Sequence, residues 1–249
     1  MNPFDLTGNL AVVTGASRGI GAGLALALAQ AGADVIGVSR RGSEHTAAAV
    51  RSLGRTYVGI EADLAAKGAA SHLSARFDEI GAVDILVNNA GIANRNPAEH
   101  HTDDQWDEVI AVDLSAPFAL ARAVGTGMLE RGRGKIVFIA SMNSFQGGRN
   151  VVSYTAAKSG VTGIVHALAN EWAGRGVGVN AIAPGYIETE LTSGSHRDPQ
   201  RREAFQARIP AGRWGSPADL GGAVVFLSSA ASDYVHGAVL PVDGGWLVR

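Results

Sequence analysis

The sequence contains no cysteine, which excludes a disulfide framework and any metal site built on thiolates. It also lacks an excess of charge of either sign, with 21 Lys and Arg against 23 Asp and Glu, and the basic residues are scattered. Nucleic-acid binding is therefore not expected. The histidines and carboxylates form no pattern with metal-ligand spacing, so no metal site is predicted.

Long apolar runs are missing too. No window offers the roughly 20 uninterrupted apolar residues of a membrane span. Residues 1–10 lack the basic and apolar regions of a secretory signal. Together with the absence of cysteine, these features lead us to expect a soluble cytoplasmic protein without membrane contact.

The chain does have an alternation of short β-branched runs with longer alanine-rich stretches, over 249 residues that are 46% hydrophobic. This pattern is typical of parallel strands joined by crossover helices. We predict an α/β fold, a single-domain Rossmann-like doubly wound parallel sheet of about seven strands with helices on both faces. The predicted strands are Leu10–Thr14, Val35–Ser39, Tyr57–Glu61, Ile85–Asn88, Lys135–Ala140, Val177–Ile182 and Ala238–Val242. The predicted helices are Ile20–Ala31, Ser43–Leu53, Lys67–Ile80, Asp104–Glu130, Tyr154–Ala173 and Pro217–Ser229.

One stretch interrupts this alternation. From Glu188 to Trp214, charged and polar residues replace the rhythm of strands and helices. Such an insertion is expected to cover a site at the carboxyl ends of the strands. We therefore predict one catalytic domain over residues 1–249, with a substrate lid at about 188–214.

A glycine-rich segment, Thr14–Gly21, separates the first predicted strand from the first helix. Glycines there permit a tight turn and let main-chain amides approach a pyrophosphate at the helix N-terminus. The alternative is that such a turn serves packing alone.

The spacing T-G-x-x-x-G-x-G resembles that of the short-chain dehydrogenase/reductase family, and further marks of the family follow in chain order. They are Asn88-Asn89-Ala90-Gly91, Ser141, Tyr154 with Lys158, Asn180–Gly185 with Thr189, and Val242–Gly245. The resemblance covers nearly the whole chain and implies hydride transfer between a nicotinamide cofactor and a carbonyl or secondary alcohol. A nucleotide-binding regulatory protein on the same fold is the alternative of a different class.

Tyr154 and Lys158 are four residues apart on a predicted helix and so share a face. A neighbouring ammonium favours a phenolate, which suits Tyr154 as proton donor and acceptor. Ser141, at the end of the fifth strand, can hydrogen-bond the substrate oxygen, although an isolated strand-end serine would be unremarkable. The resemblance implies that Lys158 also holds the nicotinamide ribose.

Asp113 departs from the family pattern, which usually has an asparagine that supports a water-mediated proton relay through the lysine. An ionised aspartate accepts hydrogen bonds but cannot donate them, and its charge can pair with Lys158. We count Asp113 among the catalytic candidates. The relay is either intact with altered pH dependence or partly impaired.

The resemblance assigns cofactor contacts to residues at the carboxyl ends of the strands. They are Gly15, Ser17, Arg18, Gly19, Ile20, Gly21, Ser39, Arg40, Asp63, Leu64, Asn89, Ala90, Gly91, Tyr154, Lys158, Pro184, Gly185, Ile187 and Thr189.

Cofactor choice depends on the end of the second strand, where an acidic residue would bind the adenosine ribose. That strand ends Val38-Ser39-Arg40-Arg41, without an acid. Arg40 can stack on adenine or pair with a 2′-phosphate, and Arg18 and Ser39 can reach the same phosphate. NADP(H) is favoured. NAD(H) is the alternative, if Arg40 and Arg41 form a solvated loop.

Four stretches resemble the sugar-acid branch of the family: Ile139–Gly148, Asn170–Ala173, Ile209–Gly215 and Val242–Arg249. They imply a keto-deoxy sugar acid of the 2-dehydro-3-deoxy-D-gluconate or 2-deoxy-D-gluconate type, with another polyol or a small ketone as the alternative. That branch typically uses NAD(H), which disagrees with the Ser39-Arg40-Arg41 ending.

A sugar acid carries a carboxylate, and a guanidinium matches its geometry. Arg95 and Arg149 are the candidates for binding it, and Gln146 and Asn94 could bind hydroxyls, beside the Ser141 and Tyr154 contacts. Solvated loop positions are an equally good interpretation of these residues. His100 and His101 are expected at the surface.

The family resemblance also implies a homotetramer. Small residues on the helix predicted over Tyr154–Ala173, namely Gly163, Ala167 and Ala169, allow close packing of helices.

Overall fold

The computed structural model of the chain describes residues 2–192 and 198–249. Its centre is one sheet of seven parallel strands in the order β3-β2-β1-β4-β5-β6-β7. The strands are β1 Leu10–Thr14, β2 Asp34–Ser39, β3 Tyr57–Glu61, β4 Ile85–Asn88, β5 Gly134–Ile139, β6 Val177–Pro184 and β7 Val239–Val242. The seven strands predicted from the sequence are confirmed, with small shifts at their ends.

The described part of the chain contains eight helices of eight residues or more. They are α1 Gly19–Gln30, α2 Glu44–Ser52, α3 Ala69–Asp78, α4 Asp103–Ile110, α5 Ala116–Arg131, α6 Val152–Trp172, α7 Pro199–Gln206 and α8 Gly221–Ser228. Apolar residues of α3, α5 and α6 pack on one face of the sheet, and those of α1, α2 and α8 pack on the other. The doubly wound architecture is confirmed.

The central strands are mostly apolar and almost entirely buried because helices cover both faces. All eight residues of β6 are buried, as are all four of β4. The strand order reverses between β1 and β4. In open α/β sheets this reversal opens a crevice at the carboxyl ends of the strands, where ligands bind.

One predicted helix is wrong in detail. The segment Asp104–Glu130 was expected as one regular helix, but α4 and α5 are separated by a π-helical turn, Ala111–Ser115. A π turn inserts a residue and rotates the following side chains. This turn carries Asp113, which is fully buried.

The segment Asp103–Arg131 is long and apolar enough, by length and composition alone, to cross a membrane. The sequence expectation rested on uninterrupted apolar runs, and this segment is interrupted by Asp113 and Arg122. Its buried side chains Leu120, Val124 and Met128 pack in the core cluster on the sheet. The segment is therefore a core helix of the domain as described.

The predicted lid region contains α7, which the charged composition of the region did not indicate. Residues 193–197 of this region lie outside the described residues. Where the lid begins, Ile187 forms a bridge with Gly215, so the two ends of the region meet beside β6.

Candidate active site

The glycine loop between β1 and α1 has the shape that the sequence predicts. Gly15 and Gly19 adopt φ angles of +69° and +56°, in the region that favours glycine. A Cβ at Gly21 would lie 2.2 Å from the carbonyl oxygen of Gly15, so no side chain fits there. The loop thus brings bare backbone to the N-terminus of α1, which is the arrangement that accepts a pyrophosphate. These residues fit a dinucleotide cofactor.

The chain after β4 is joined directly to this loop. The Thr14 hydroxyl accepts the N–H groups of Asn89 and Ala90, at 2.9 and 3.0 Å. The Asn89 side chain donates to the Thr14 carbonyl at 2.8 Å. These bonds hold Asn89 and Ala90 beside the glycine loop, as the family resemblance implies.

The start of the predicted lid region lies over the same loop. A Cβ at Gly19 would lie 3.5 Å from the Thr189 methyl carbon, so Thr189 packs against the first turn of α1. Arg18 forms an ion pair with Glu190 at the surface. In this arrangement the Arg18 guanidinium is engaged by the lid, whereas the sequence assigned it to a cofactor phosphate.

Two side chains of α6 and the end of β5 bring the candidate catalytic residues together. The Lys158 ammonium, 4% exposed as a residue, donates to the carbonyl of Ile139 at 3.0 Å, two residues before Ser141. The same ammonium lies 5.5 Å from the centre of the Tyr154 ring. The Ser144 hydroxyl donates to the Lys158 carbonyl at 2.6 Å. The structure therefore places Tyr154 and Lys158 of α6 against the end of β5 that carries Ser141.

Asp113 completes this group from the π turn. One carboxylate oxygen accepts the N–H of Ile92 at 2.8 Å. The other, Oδ2, lies 3.2 Å from Lys158 Nζ, an ion pair without the alignment of a hydrogen bond. A Cβ at Gly91 would lie 2.7 Å from Oδ2, so glycine at that position leaves room for the carboxylate.

Burial and charge act in opposite directions on this pair. Burial raises the pKa of the Asp113 carboxyl, and the Lys158 charge and the Ile92 N–H oppose that rise. Burial by itself lowers the pKa of Lys158, but Asp113 and Tyr154 together outweigh it, so the pKa of Lys158 is raised. Lys158 consequently keeps its ammonium charge although it is buried.

The end of β2 carries a hydrogen-bonded serine, Ser39, followed by two exposed arginines. The Ser39 hydroxyl is buried and donates to the carbonyl of Arg41 at 2.5 Å. Arg40 and Arg41 are exposed. Thr46 of α2 anchors the neighbouring loop by donating to the Ala16 carbonyl at 2.8 Å. The exposed guanidinium of Arg40 thus lies at the strand end where the adenosine ribose of a dinucleotide would be recognised.

The remaining predicted cofactor residues lie at the same edge of the sheet. Asp63 and Leu64 follow β3, and Pro184, Gly185 and Ile187 lie at or after the end of β6. Gly185 packs so closely on Asp243 that a Cβ would lie 2.6 Å from the Asp243 Cα.

The candidate substrate-binding residues lie in the loops after β4 and β5. A backbone hydrogen bond from the Asn96 N–H to the Asn150 carbonyl, at 3.0 Å, joins the two loops. Arg95 is exposed and donates to the Leu191 carbonyl at 3.5 Å. Arg149 is exposed and Gln146 is half-buried. The Asn94 side chain donates to Glu108 at 3.2 Å.

His100 is exposed as expected, but the expectation for His101 was wrong. Both of its ring nitrogens are shielded from solvent, with no hydrogen-bond partner among the described residues. The turn that precedes α4 folds the ring inward, and a pair of adjacent histidines in the sequence does not reveal which one turns in.

Sequence reasoning missed an aromatic cluster beside Ser141, formed by Tyr186, Phe205, Trp214 and Trp246. Met142, the residue after Ser141, packs in the same cluster. Asp243 positions Trp246, since its carboxylate accepts the N–H groups of Gly245 and Leu247 at 2.8 and 2.9 Å. The aromatic residues were visible in the sequence, but they come from segments far apart in the chain.

Comparison with known proteins agrees with this site. The family model described as Enoyl-(Acyl carrier protein) reductase matches residues 15–247. A 2-dehydro-3-deoxy-D-gluconate 5-dehydrogenase of Pseudoalteromonas atlantica (strain T6c / ATCC BAA-1087) is 49% identical over 257 residues, which cover 100% of both chains. The chain belongs to the short-chain dehydrogenase/reductase family. The resemblance to the family and to its sugar-acid branch is confirmed, and the chain is an oxidoreductase of this family.

Two solved structures of the family are similar over the full chain. A protein from Beutenbergia cavernae with NADP bound at low occupancy has a TM-score of 0.97 and 49% identity, with 100% of both chains covered. A gluconate 5-dehydrogenase from Burkholderia cenocepacia J2315, in complex with NADP and tartrate, has a TM-score of 0.94 and 38% identity. That match covers 100% of this chain and 98% of the other.

Proposed function

We propose that this chain is an NADP(H)-dependent dehydrogenase/reductase of a keto-deoxy sugar acid, of the 2-dehydro-3-deoxy-D-gluconate or 2-deoxy-D-gluconate type. The observation that carries the proposal is the buried Lys158 ammonium, which links the Tyr154 helix to the end of β5 beside Ser141. A full-length relative with 49% identity is named for the first of these substrates.

The bound nicotinamide would supply the hydride in reduction and accept it in oxidation. Tyr154 gives a proton to the substrate oxygen in reduction and takes it from the hydroxyl in oxidation. Ser141 donates a hydrogen bond to that oxygen while negative charge develops on it. The Lys158 ammonium stabilises the phenolate form of Tyr154 and holds the nicotinamide ribose hydroxyls. Asp113 fixes Lys158 in place through the ion pair.

NADP(H) is the proposed cofactor because the end of β2 offers the exposed guanidinium of Arg40 and no carboxylate. The glycine loop and the residues around it would hold the rest of the dinucleotide. Solved relatives with NADP bound support this choice. NAD(H) is the alternative.

Further parts of the proposal concern the substrate and the assembly. Arg95, Gln146 and Arg149 bind the polar groups of the substrate, and residues 188–214 act as its lid. The enzyme is a cytoplasmic homotetramer. A different polyol or small ketone as substrate, and a regulatory nucleotide-binding role, are the alternatives.

The test measures cofactor absorbance at 340 nm with both reduced cofactors and a panel of keto sugar acids, neutral keto sugars and simple ketones. We expect turnover of a keto-deoxy sugar acid with NADPH. We also expect Tyr154→Phe to lose most of that turnover while it keeps cofactor affinity, because the ring still packs but the transferable proton is gone. Full activity in Tyr154→Phe would reject the mechanism, and turnover of neutral ketones alone would reject the substrate class.

A further inference from the structure

Two arginines near the aromatic cluster have no acidic partner among the described residues. Arg208 follows α7, and its guanidinium carbon lies 4.1 Å from the centre of the Trp246 ring. Arg95 follows β4, and within residues 2–192 and 198–249 its side chain has one hydrogen bond, to the Leu191 carbonyl. By contrast, the neighbouring Arg202 is paired with Glu188 at 2.6 Å. Two uncompensated guanidinium groups therefore remain at this side of the molecule.

Tyr186 connects the two arginines. Its ring lies 4.8 Å from that of Trp246, in an edge-to-face arrangement. Burial raises the pKa of the Tyr186 hydroxyl, while the charges of Arg208 and Arg95 both act to lower it. Arg208 and the Tyr186 ring thus both contact Trp246.

The position of this group relative to the catalytic serine follows from the sheet. β5 and β6 are neighbours, with Ile139 paired to Ile182, and Tyr186 comes shortly after the end of β6. Met142, directly after Ser141, packs in the same cluster as Trp246. Tyr186 and Trp246, on which Arg208 stacks, therefore belong to the same cluster as the residue that follows Ser141.

We propose that Arg208, with Arg95 and Tyr186, binds the carboxylate of the substrate, and that Arg208 determines the preference for an acid over a neutral sugar. The inference rests on the proposed sugar-acid function. Stacking on Trp246 holds the guanidinium plane and leaves its in-plane N–H groups free to donate to a carboxylate. The Tyr186 hydroxyl adds one more donor.

The experiment compares Arg208→Gln with Arg202→Gln, a control that removes a lid arginine already paired with a carboxylate. Direct calorimetric titration uses tartrate and gluconate as acidic probes and glucitol as the matched neutral polyol, with oxidised cofactor present. We expect Arg208→Gln to weaken binding of both acids roughly 10- to 100-fold, as for loss of a charge-assisted hydrogen bond. Glucitol binding, cofactor affinity and all values for Arg202→Gln should stay within about twofold of the parent.

Kinetics then separate this inference from the function on which it rests. With 2-dehydro-3-deoxy-D-gluconate as substrate, Arg208→Gln should raise KM far more than it lowers kcat. Arg208→Lys keeps the positive charge but loses the planar pair of guanidinium donors, so its KM should lie between those of the parent and Arg208→Gln. A parent that binds neither acid overturns the inference, as does equal weakening of acid and polyol or an equal loss in Arg202→Gln. A parent that binds the acids but turns over no sugar acid contradicts the proposed function alone.

Discussion

Lys158 is the most constrained residue of the site. An ammonium has three N–H donors. One of them is engaged by the Ile139 carbonyl, and Asp113 contributes an ion pair at 3.2 Å. Removing one partner of a buried ion pair leaves the other charge uncompensated, so Lys158 depends on Asp113 for its protonated state.

This dependence predicts a pH effect in Asp113→Asn. The raised pKa of Lys158 keeps the parent lysine protonated through and above its usual range near 10.5. In the variant, burial acts without the opposing carboxylate charge, so the pKa of Lys158 should fall below that range. We expect cofactor affinity in the variant to decline already at a pH below the usual lysine range near 10.5, where the parent stays level. Titration of cofactor binding against pH measures this directly.

A remote carboxylate provides the control. Asp34 pairs with Arg55 at 3.0 Å at the opposite edge of the sheet. Asp34→Asn should leave the pH profile of cofactor binding unchanged. Superimposable profiles for the parent and Asp113→Asn would show that the carboxylate does not govern the protonation of Lys158.

Substitution of Arg40 tests whether the enzyme prefers NADP(H) or NAD(H). If its exposed guanidinium pairs with the 2′-phosphate, Arg40→Ala loses a charge-assisted contact of about 1.5–3 kcal/mol, or roughly 10- to 150-fold in affinity for NADP(H). NAD(H) affinity should change little. Fluorescence titration of both reduced cofactors gives the two ratios. Equal losses for both would indicate adenine stacking instead, and a parent that already prefers NAD(H) would place Arg40 in a solvated loop.

At the scale of elements, the glycine loop depends on close backbone contact. A Cβ added at Gly21, in the first turn of α1, would collide with the Gly15 carbonyl and with the Asn89 side chain, which joins the loops after β1 and β4. The loop, the helix N-terminus and the β4 end therefore form one unit. A change at Gly21 should alter all three together.

Gly21→Ala should accordingly lower both cofactor affinity and stability, the latter by about 1–3 kcal/mol, as overpacking usually does. The matched control is Gly174→Ala in the turn after α6, where an added Cβ meets no atom within 4 Å. Gly174→Ala should be neutral or stabilising by up to about 1 kcal/mol. Denaturant unfolding and cofactor titration measure the pair, and unchanged cofactor affinity in Gly21→Ala would contradict the proposed role of the loop.

At the scale of the whole molecule, one face of α6 offers a surface for association. Gly163 and Ala167 are exposed and four residues apart, so they lie on the same face. Ala169, expected with them, is 5% exposed and packs in the core of the subunit, so that part of the expectation was wrong. Exposed rings of Trp106 and Phe118 on α4 and α5 add apolar area nearby.

We predict that Ala167→Arg breaks the proposed homotetramer, because a long charged side chain prevents close approach of two α6 helices. Ala48→Arg, at an exposed position of α2, is the control and should leave assembly unchanged. Sedimentation velocity at micromolar concentration distinguishes the species. A monomeric parent would refute the tetramer. A tetrameric Ala167→Arg variant would show that the interface does not use this face of α6.

The strands and most helices could be predicted from the sequence, and candidate catalytic residues could be named, because their signals are local. Alternating β-branched runs mark buried strands, glycines at fixed spacing mark the loop after β1, and the interval from Tyr154 to Lys158 spans one helical turn. Each of these depends on neighbours within a few residues. The family motifs then supplied their order along the chain.

Only the tertiary structure decided how distant segments meet. The π turn buries Asp113, whose partner Lys158 lies far away in the chain. The cluster of Tyr186, Trp246 and Arg208 likewise joins distant residues. No periodicity encodes such contacts, because they arise when whole elements pack around the sheet. By itself the sequence determined the family and the fold, and it named the candidate reacting groups. The packing decided the pairing of Lys158 with Asp113 and the contact of Arg208 with Trp246.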